Sequence, residues 1–185
     1  GGLYGEYFDN QWFQGEPSLS RVDSQINFDW GTGLLTASGR DFVTIRWWGK
    51  IRPPTTEAYT LYMLADNGVR MWVDHKLIID RWDICCNETS SVVNFVQQNY
   101  HDIKIEFKEV RGTANIRLMW QSTSVPKQLV PAKYLYTASH ISGSPYGVGV
   151  LPGAADYPHT TAYGSGLTKA VSGVPASFII QAKDA

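Results

Sequence analysis

The chain has 185 residues, 43% of them apolar and 18% charged, which excludes a disordered tail or a long charged helix. Sixteen basic against seventeen acidic residues leave a net charge of −1, without the basic stripe that nucleic acid or an anionic membrane requires. Seventeen glycines, nine prolines and 13% aromatics favour short strands and turns over helices.

In chain order, Phe42 to Trp48 alternates, with Val43, Ile45 and Trp47 on one face and Trp48 on the other. Tyr59 to Leu64 follows, apolar on both faces. Asp66-Asn67-Gly68 then reads as a hairpin turn, since Asn and Gly tolerate positive φ. Val69 to Val73 returns, Asp74-His75 turns, and Leu77 to Ile79 forms the next strand. Asp and His bear positive φ better than most residues, so this second turn reads as structural. Ile103 to Lys108 places apolar residues inward and Glu106 and Lys108 on a solvated face. Ala114 to Trp120 comes after the Gly112-Thr113 break. The recurring turns give an all-β, antiparallel β-sandwich.

Composition shifts near Ala138 toward Gly, Ser, Pro and Ala. This marks two domains, 1–137 and 138–185. The second carries strands from Tyr146 to Leu151 (Tyr146, Val148 and Val150 on one face) and from Ala176 to Ala182 around Phe178 and Ile180. So few strands form an incomplete immunoglobulin-like sandwich, whose edges need missing residues or a neighbouring chain. Tyr146, Val148, Val150, Phe178 and Ile180 are thus candidate assembly residues, pairing with other copies or flanking domains. The Gly1-Gly2 start without a Met reads as a mature or excised piece of a longer protein. No stretch has the length of a membrane span.

The two cysteines, Cys85 and Cys86, are adjacent: either a vicinal disulfide or a link to a neighbouring chain. Asn87-Glu88-Thr89 is a glycosylation sequon with Asn87 as acceptor. Glu6, Glu57, Glu106 and Glu109 invite comparison with a glycosidase pair. However, no hydrolase, zinc-protease or phosphate-loop motif is present, which points away from an enzyme.

Six blocks carry a resemblance. They are Gly2 to Phe8, Ile26 to Trp30, Ile45 to Trp47, Asp66 to Asp74, Ile79 to Trp82 and Pro131 to Tyr136. In their order and spacing residues 1–137 resemble the β-sandwich domain named after anthrax protective antigen. The tail is similar to filamin-type immunoglobulin-like repeats.

The first resemblance implies an extracellular or cell-surface, non-catalytic module of a multidomain protein or fibre. Its alternative is a calcium-dependent carbohydrate-binding adhesion module. In yeast adhesins of that family two successive aspartates, joined by a cis peptide, hold calcium and the calcium holds sugar. Asp66 and Asn67 match that pair, so calcium is the implied cofactor and glycans an implied partner, with one carboxylate replaced by an amide carbonyl. An acid from the Asp83 to Glu88 loop is a further candidate ligand. The resemblance also places Trp30, Trp47, Trp72, Trp82 and Trp120 in the core. Outward Trp48 stacks on a sugar ring, anchors a protein interface, or is covered by the chain's own tail.

Overall fold

A computed structural model describes residues 1–84, 87–137, 161–163 and 179–181. Among the described residues fourteen strands and one 3-10 turn succeed one another. They are β1 (Leu3–Phe8), β2 (Leu19–Asp23), β3 (Asn27–Gly31), β4 (Val43–Ile51), β5 (Glu57–Asp66), β6 (Gly68–Val73) and β7 (Lys76–Arg81). Next come β8 (Thr89–Phe95), β9 (His101–Glu109), β10 (Ala114–Gln121), β11 (Gln128–Leu129), the turn Ala132–Tyr134 and β12 (Leu135–Tyr136). Last are β13 (Thr161–Tyr163) and β14 (Ile179–Gln181). The chain divides into two compact units, Gly1–Ser139 and His140–Ala185.

In the first unit all described strand pairs are antiparallel. One sheet runs β2-β1-β4-β9-β6-β7, with β12 beside β4; the other runs β11-β10-β5-β8, with β3 beside β10. Period-two alternation explains how they pack. Val43, Ile45 and Trp47 on β4 and Ile103, Ile105 and Phe107 on β9 face inward. They meet Tyr59, Leu61 and Met63 of β5 and Ile116, Leu118 and Trp120 of β10, all at most 2% exposed.

This topology corrects the expected Asp66-Asn67-Gly68 hairpin. β5 pairs with β10 and β8 in one sheet, whereas β6 pairs with β9 and β7 in the other. The turn therefore carries the chain from one layer to the other. The reason lies in burial: each strand offers one apolar face, and both faces are covered when the strands lie in opposite sheets. The peptide bond between Asp66 and Asn67 is cis.

Gly5 lies opposite Trp47 in the β1–β4 ladder. A Cβ there would fall 2.8 Å from Trp47 Nε1 and 2.9 Å from Asp23 Oδ2, so only glycine lets the indole reach that carboxylate. Trp47 Nε1 donates to Asp23 Oδ2 (2.7 Å), Tyr7 Oη donates to the same oxygen, and Arg21 Nε donates to Asp23 Oδ1 (2.7 Å). Arg21 Nη2 closes the circuit on Tyr7 Oη at 2.9 Å. Burial, with Asp23 beside it, pushes the Tyr7 phenol far above its ordinary pKa. This network ties edge strand β2 to the core.

In the second unit β13 pairs antiparallel with β14, Ala162 opposite Ile180. Ile180 is exposed. Of the other assembly candidates, Tyr146, Val148, Val150 and Phe178 lie outside the described residues, as do Cys85 and Cys86 and most of the segment likened to filamin repeats. Among the described residues no helix is long and apolar enough to cross a membrane.

Candidate functional site

Residues singled out in the sequence fall at two separate places. Asp66 and Asn67 occupy one end of the sandwich, where Gly68 pairs with Lys108 of β9; Trp48 pairs with Lys104 of the same strand. At a strand rise of about 3.3 Å per residue, these rows lie about 13 Å apart, so the three residues do not form one site.

At the Asp66 end the chain's own donors orient the oxygens. Thr113 Oγ1 donates to Asp66 Oδ2 (2.8 Å) and Asn67 Nδ2 to Asp66 Oδ1 (2.9 Å). The Val110 amide donates to Asn67 Oδ1 (2.6 Å). Behind them is Glu109. Ile103, Ile105, Phe107 and Glu109 share one face of β9, so the carboxylate is carried inward by the same alternation that builds the core. Glu109 is fully buried, and neither of its carboxylate oxygens has a hydrogen-bond partner. Burial, then the charges of Asp66 and Asp41, push its pKa up to about 8. A buried carboxylate left without donors is costly, and such groups concentrate at functional sites.

A cavity of about 290 Å³ opens beside this turn, lined by Asn67, Gly68, Trp82, Asp83, Ile84, Lys108 and Val110. Lys108 Nζ donates to Asp83 Oδ1 (2.8 Å) and lies 4.9 Å from the Trp82 ring centre. That hydrogen bond, with the lysine's charge, holds the Asp83 carboxyl below its usual range. Arg70 lies 4.8 Å over the same indole, and Phe13 packs at 6.0 Å. Phe13 and Phe42 both have positive φ, 54° and 59°. For bulky side chains this is an outlier, and such outliers gather at binding loops. The Phe42 amide donates to the Val110 carbonyl, which brings this loop to the same end. Glu109, Phe13 and Phe42 were not among the sequence candidates for this end. The one sequence signal for Glu109 is its place two residues beyond inward-facing Phe107, which by itself also fits a strand leaving the core for solvent.

Gly68 is fixed by its surroundings: an added Cβ would lie 2.1 Å from the Trp82 carbonyl oxygen, a backbone atom that cannot swing aside. Gly68→Ala is expected to displace the Trp82 loop and lower stability by about 2 kcal/mol, within the overpacking range. Urea denaturation measures this, and an unchanged midpoint would contradict it.

Calcium, the cation implied by the resemblance, requires hard oxygen ligands. The Asp66 carboxylate, the Asn67 carbonyl and the partnerless Glu109 carboxylate are of that kind, so the donor chemistry fits. Among the described residues no three His, Cys, Asp or Glu side chains converge on one point, so backbone or amide oxygens would have to complete the shell.

At the second place, Trp48 does face outward, half-buried against Tyr4 with ring centres 4.9 Å apart. Trp72 corrects an expectation: it is not in the core. β6 turns Met71 and Val73 inward and Trp72 outward, half-buried, 3.7 Å from Lys104 Nζ. Trp82 and Trp30 are also only partly buried, whereas Trp47 and Trp120 are at 0% exposure.

The face expected to be solvated is instead covered by its own ion pairs. Glu106 and Lys108 side chains are each 13% exposed, and the row Glu6–Arg46–Glu106–Arg70–Asp80 alternates in sign across five strands. Arg46 Nη2 reaches Glu6 at 2.6 Å. Glu57 lies elsewhere, bonded to Ser124, so the four glutamates share no cleft. The Asp74-His75 turn has positive φ at both residues (47° and 64°), and Asp74 is spent on the His101 ring and the Asp102 amide. Asn87 is exposed just before β8.

Residues 1–134 match the model of the PA14 domain family. Over 137 residues the chain is 39% identical to the anti-sigma-I factor RsgI3 of Acetivibrio thermocellus, covering 73% of this chain and 21% of that protein. A solved anti-sigma factor domain-containing protein from Clostridium clariflavum is 38% identical with a TM-score of 0.72, over 83% of this chain and 51% of that one. The solved PA14 sugar-binding domain from an RTX adhesin is 15% identical with a TM-score of 0.59, over 74% of this chain and 98% of that one. That last likeness is one of fold. The chain spans about a fifth of the curated relative and half of the solved anti-sigma relative.

Proposed function

This chain belongs to the PA14 domain family, and from that premise we propose that it is a non-catalytic glycan-recognition module of a larger extracellular or cell-surface protein. The observation that carries the reading is Glu109, a buried carboxylate without a donor, held against Asp66 at the loop end of the sandwich. A divalent cation beside Asp66 and Asn67 would favour release of the Glu109 proton and pair with the carboxylate so formed. Asp66 and Asn67 would hold calcium with Glu109 behind them, and the ion would supply an electrophilic anchor for vicinal sugar hydroxyls. The cavity beside the Trp82 indole offers room for part of a sugar ring. The RTX adhesin domain, named as sugar-binding, supports this ligand class. The relatives named as anti-sigma factors support a sensing role, in which occupancy of this module is passed to other parts of a longer chain.

Calorimetric titration of the intact chain with calcium chloride, followed by glycan-array binding with and without EDTA, tests the reading. Wild-type protein should take calcium with a Kd of about 10⁻⁴–10⁻³ M, typical of extracellular modules. Asp66→Ala should lose both calcium and glycan. Equal calcium affinity in both proteins, or glycan binding at Asp66's end that EDTA leaves untouched, would refute it.

A further inference from the structure

Both sheets of the first unit end in strands that a further strand could join, and most of these edges are guarded. In the larger sheet β2 carries Arg21 and Asp23, and β7 carries Lys76, Asp80 and Arg81. In the smaller sheet the edge beyond β10 is shared by β11 and β3. β11 is two residues long between Pro126 and Pro131, and β3 is five residues long and contains Asp29. Charge, proline and shortness are the usual protections against edge-to-edge pairing. β8 has none of them. It is seven residues long, and from Thr89 to Tyr100 the sequence holds no charged residue, no histidine and no proline. Among the described residues β8 pairs with β5 alone, and Val92 at its middle is 64% exposed. We propose that β8 is a dimerisation edge, at which two copies of this chain pair antiparallel about a two-fold axis through Val92.

The charge pattern selects a second copy as the occupant. Residues opposed across an antiparallel ladder share a sheet face, so a two-fold axis must pass through a residue rather than between two. Val92 is the midpoint of Thr89–Phe95. With the axis there, Val92 meets itself, Ser90 meets Asn94 of the second copy and Ser91 meets Val93 of the second copy. No pair sets like charges against each other, which is the ordinary bar to self-pairing at an edge. The nearest charge on the amino side, Glu88, is bonded to Lys127 Nζ and would lie opposite Val96 of the second copy rather than opposite itself. A strand rich in one sign of charge finds no counter-charge along β8. Ser90, Val92 and Asn94 share the exposed face, so the two Val92 side chains would cover each other there. Main-chain hydrogen bonds would supply the affinity, as in strand addition generally. The contact is isologous and closes at two copies, because each copy spends the edge it uses. Strand direction reverses across the axis, so the two Asp66 ends would point opposite ways.

Sedimentation velocity of the full chain from about 1 to about 300 µM provides the test, and reversible growth from monomer to dimer is expected. Val92→Lys and Val92→Glu each place two like charges on the axis and should weaken association about tenfold or more. An equimolar mixture of the two variants sets lysine against glutamate and should recover association close to that of wild type. The control is Val22→Lys, an exposed valine on edge strand β2, which should leave association unchanged. Thermal unfolding checks that each variant is folded, and the wild-type series stands whatever the variants do. Wild type that stays monomeric throughout would overturn the proposal and leave β8 to a different chain. Folded Val92 variants that associate like wild type, or Val22→Lys weakening association as much as Val92→Lys, would overturn it too. So would folded Val92→Lys and Val92→Glu that fail to associate on mixing, since Val92 would then not face its own copy.

Discussion

Replacing Asp23 with alanine is expected to lower the unfolding free energy by about 4 kcal/mol, within the range for breaking a buried charged network. Three donors depend on this one carboxylate: the Tyr7 hydroxyl, the Trp47 indole N–H and the Arg21 guanidinium. Tyr7 and Trp47 are at 0% exposure, so neither orphaned donor has ready access to water as a replacement. Each lost acceptor costs about 1–3 kcal/mol when the donor stays buried, and the sum is reduced because the three share one network. Asp23→Asn keeps the shape and an acceptor but forfeits the charge, and should cost about half as much. Urea unfolding followed by tryptophan emission reads both. Because Trp47 is itself in the network, its emission should shift in Asp23→Ala even under native conditions. A midpoint within error of wild type would mean that β2 is held by its backbone ladder alone.

That network also shows where the sequence could be read and where it could not. Alternation along Val43 to Trp47 and Ile103 to Phe107 announces central strands because one face is buried and the other is not. What alternation lacks is the identity of the partner strand. Asp66-Asn67-Gly68 has the chemistry of a hairpin, yet β5 and β6 lie in opposite sheets, a decision made by which faces need covering rather than by the turn. Trp72 was assigned to the core from the family pattern, although Met71 and Val73 beside it already claim the inward positions. Thr89–Phe95, mixed in polarity with Ser90 and Val92 both exposed, shows why an edge strand escapes a period-two search.

The candidate site was legible only in outline. Asp66 and Asn67 can be named from the turn they occupy, but Glu109 becomes notable only once its carboxylate is placed in the core with no donor. A charged residue ending an apolar face reads from sequence as the strand's exit into solvent. The fold makes it otherwise, because the Val110 amide is bonded to Asn67 and the Phe42 loop closes over the same edge.

Glu109 should therefore give the metal-free protein an unusual dependence on pH. Its folded pKa of about 8 lies above the ordinary 4.5, so between those values the native state holds a proton that the unfolded state has released. The sign follows from linkage: stability is greatest at the acid end of this window and falls as pH rises through 8. In Glu109→Gln this component vanishes. The variant should match wild type near pH 5 and exceed it by about 1–3 kcal/mol near pH 9, where wild type must keep a buried charge against Asp66 and Asp41. Calcium at about 10 mM, against a Kd of about 10⁻⁴–10⁻³ M, should raise wild-type stability at pH 9 by about 1–3 kcal/mol and stabilise Glu109→Gln less, since the ion stabilises only the state that binds it. Parallel pH profiles would show that Glu109 does not titrate in this window. Equal calcium stabilisation of both proteins would place any bound ion away from Glu109 and leave Asp66 and Asn67 to hold it without help from the core.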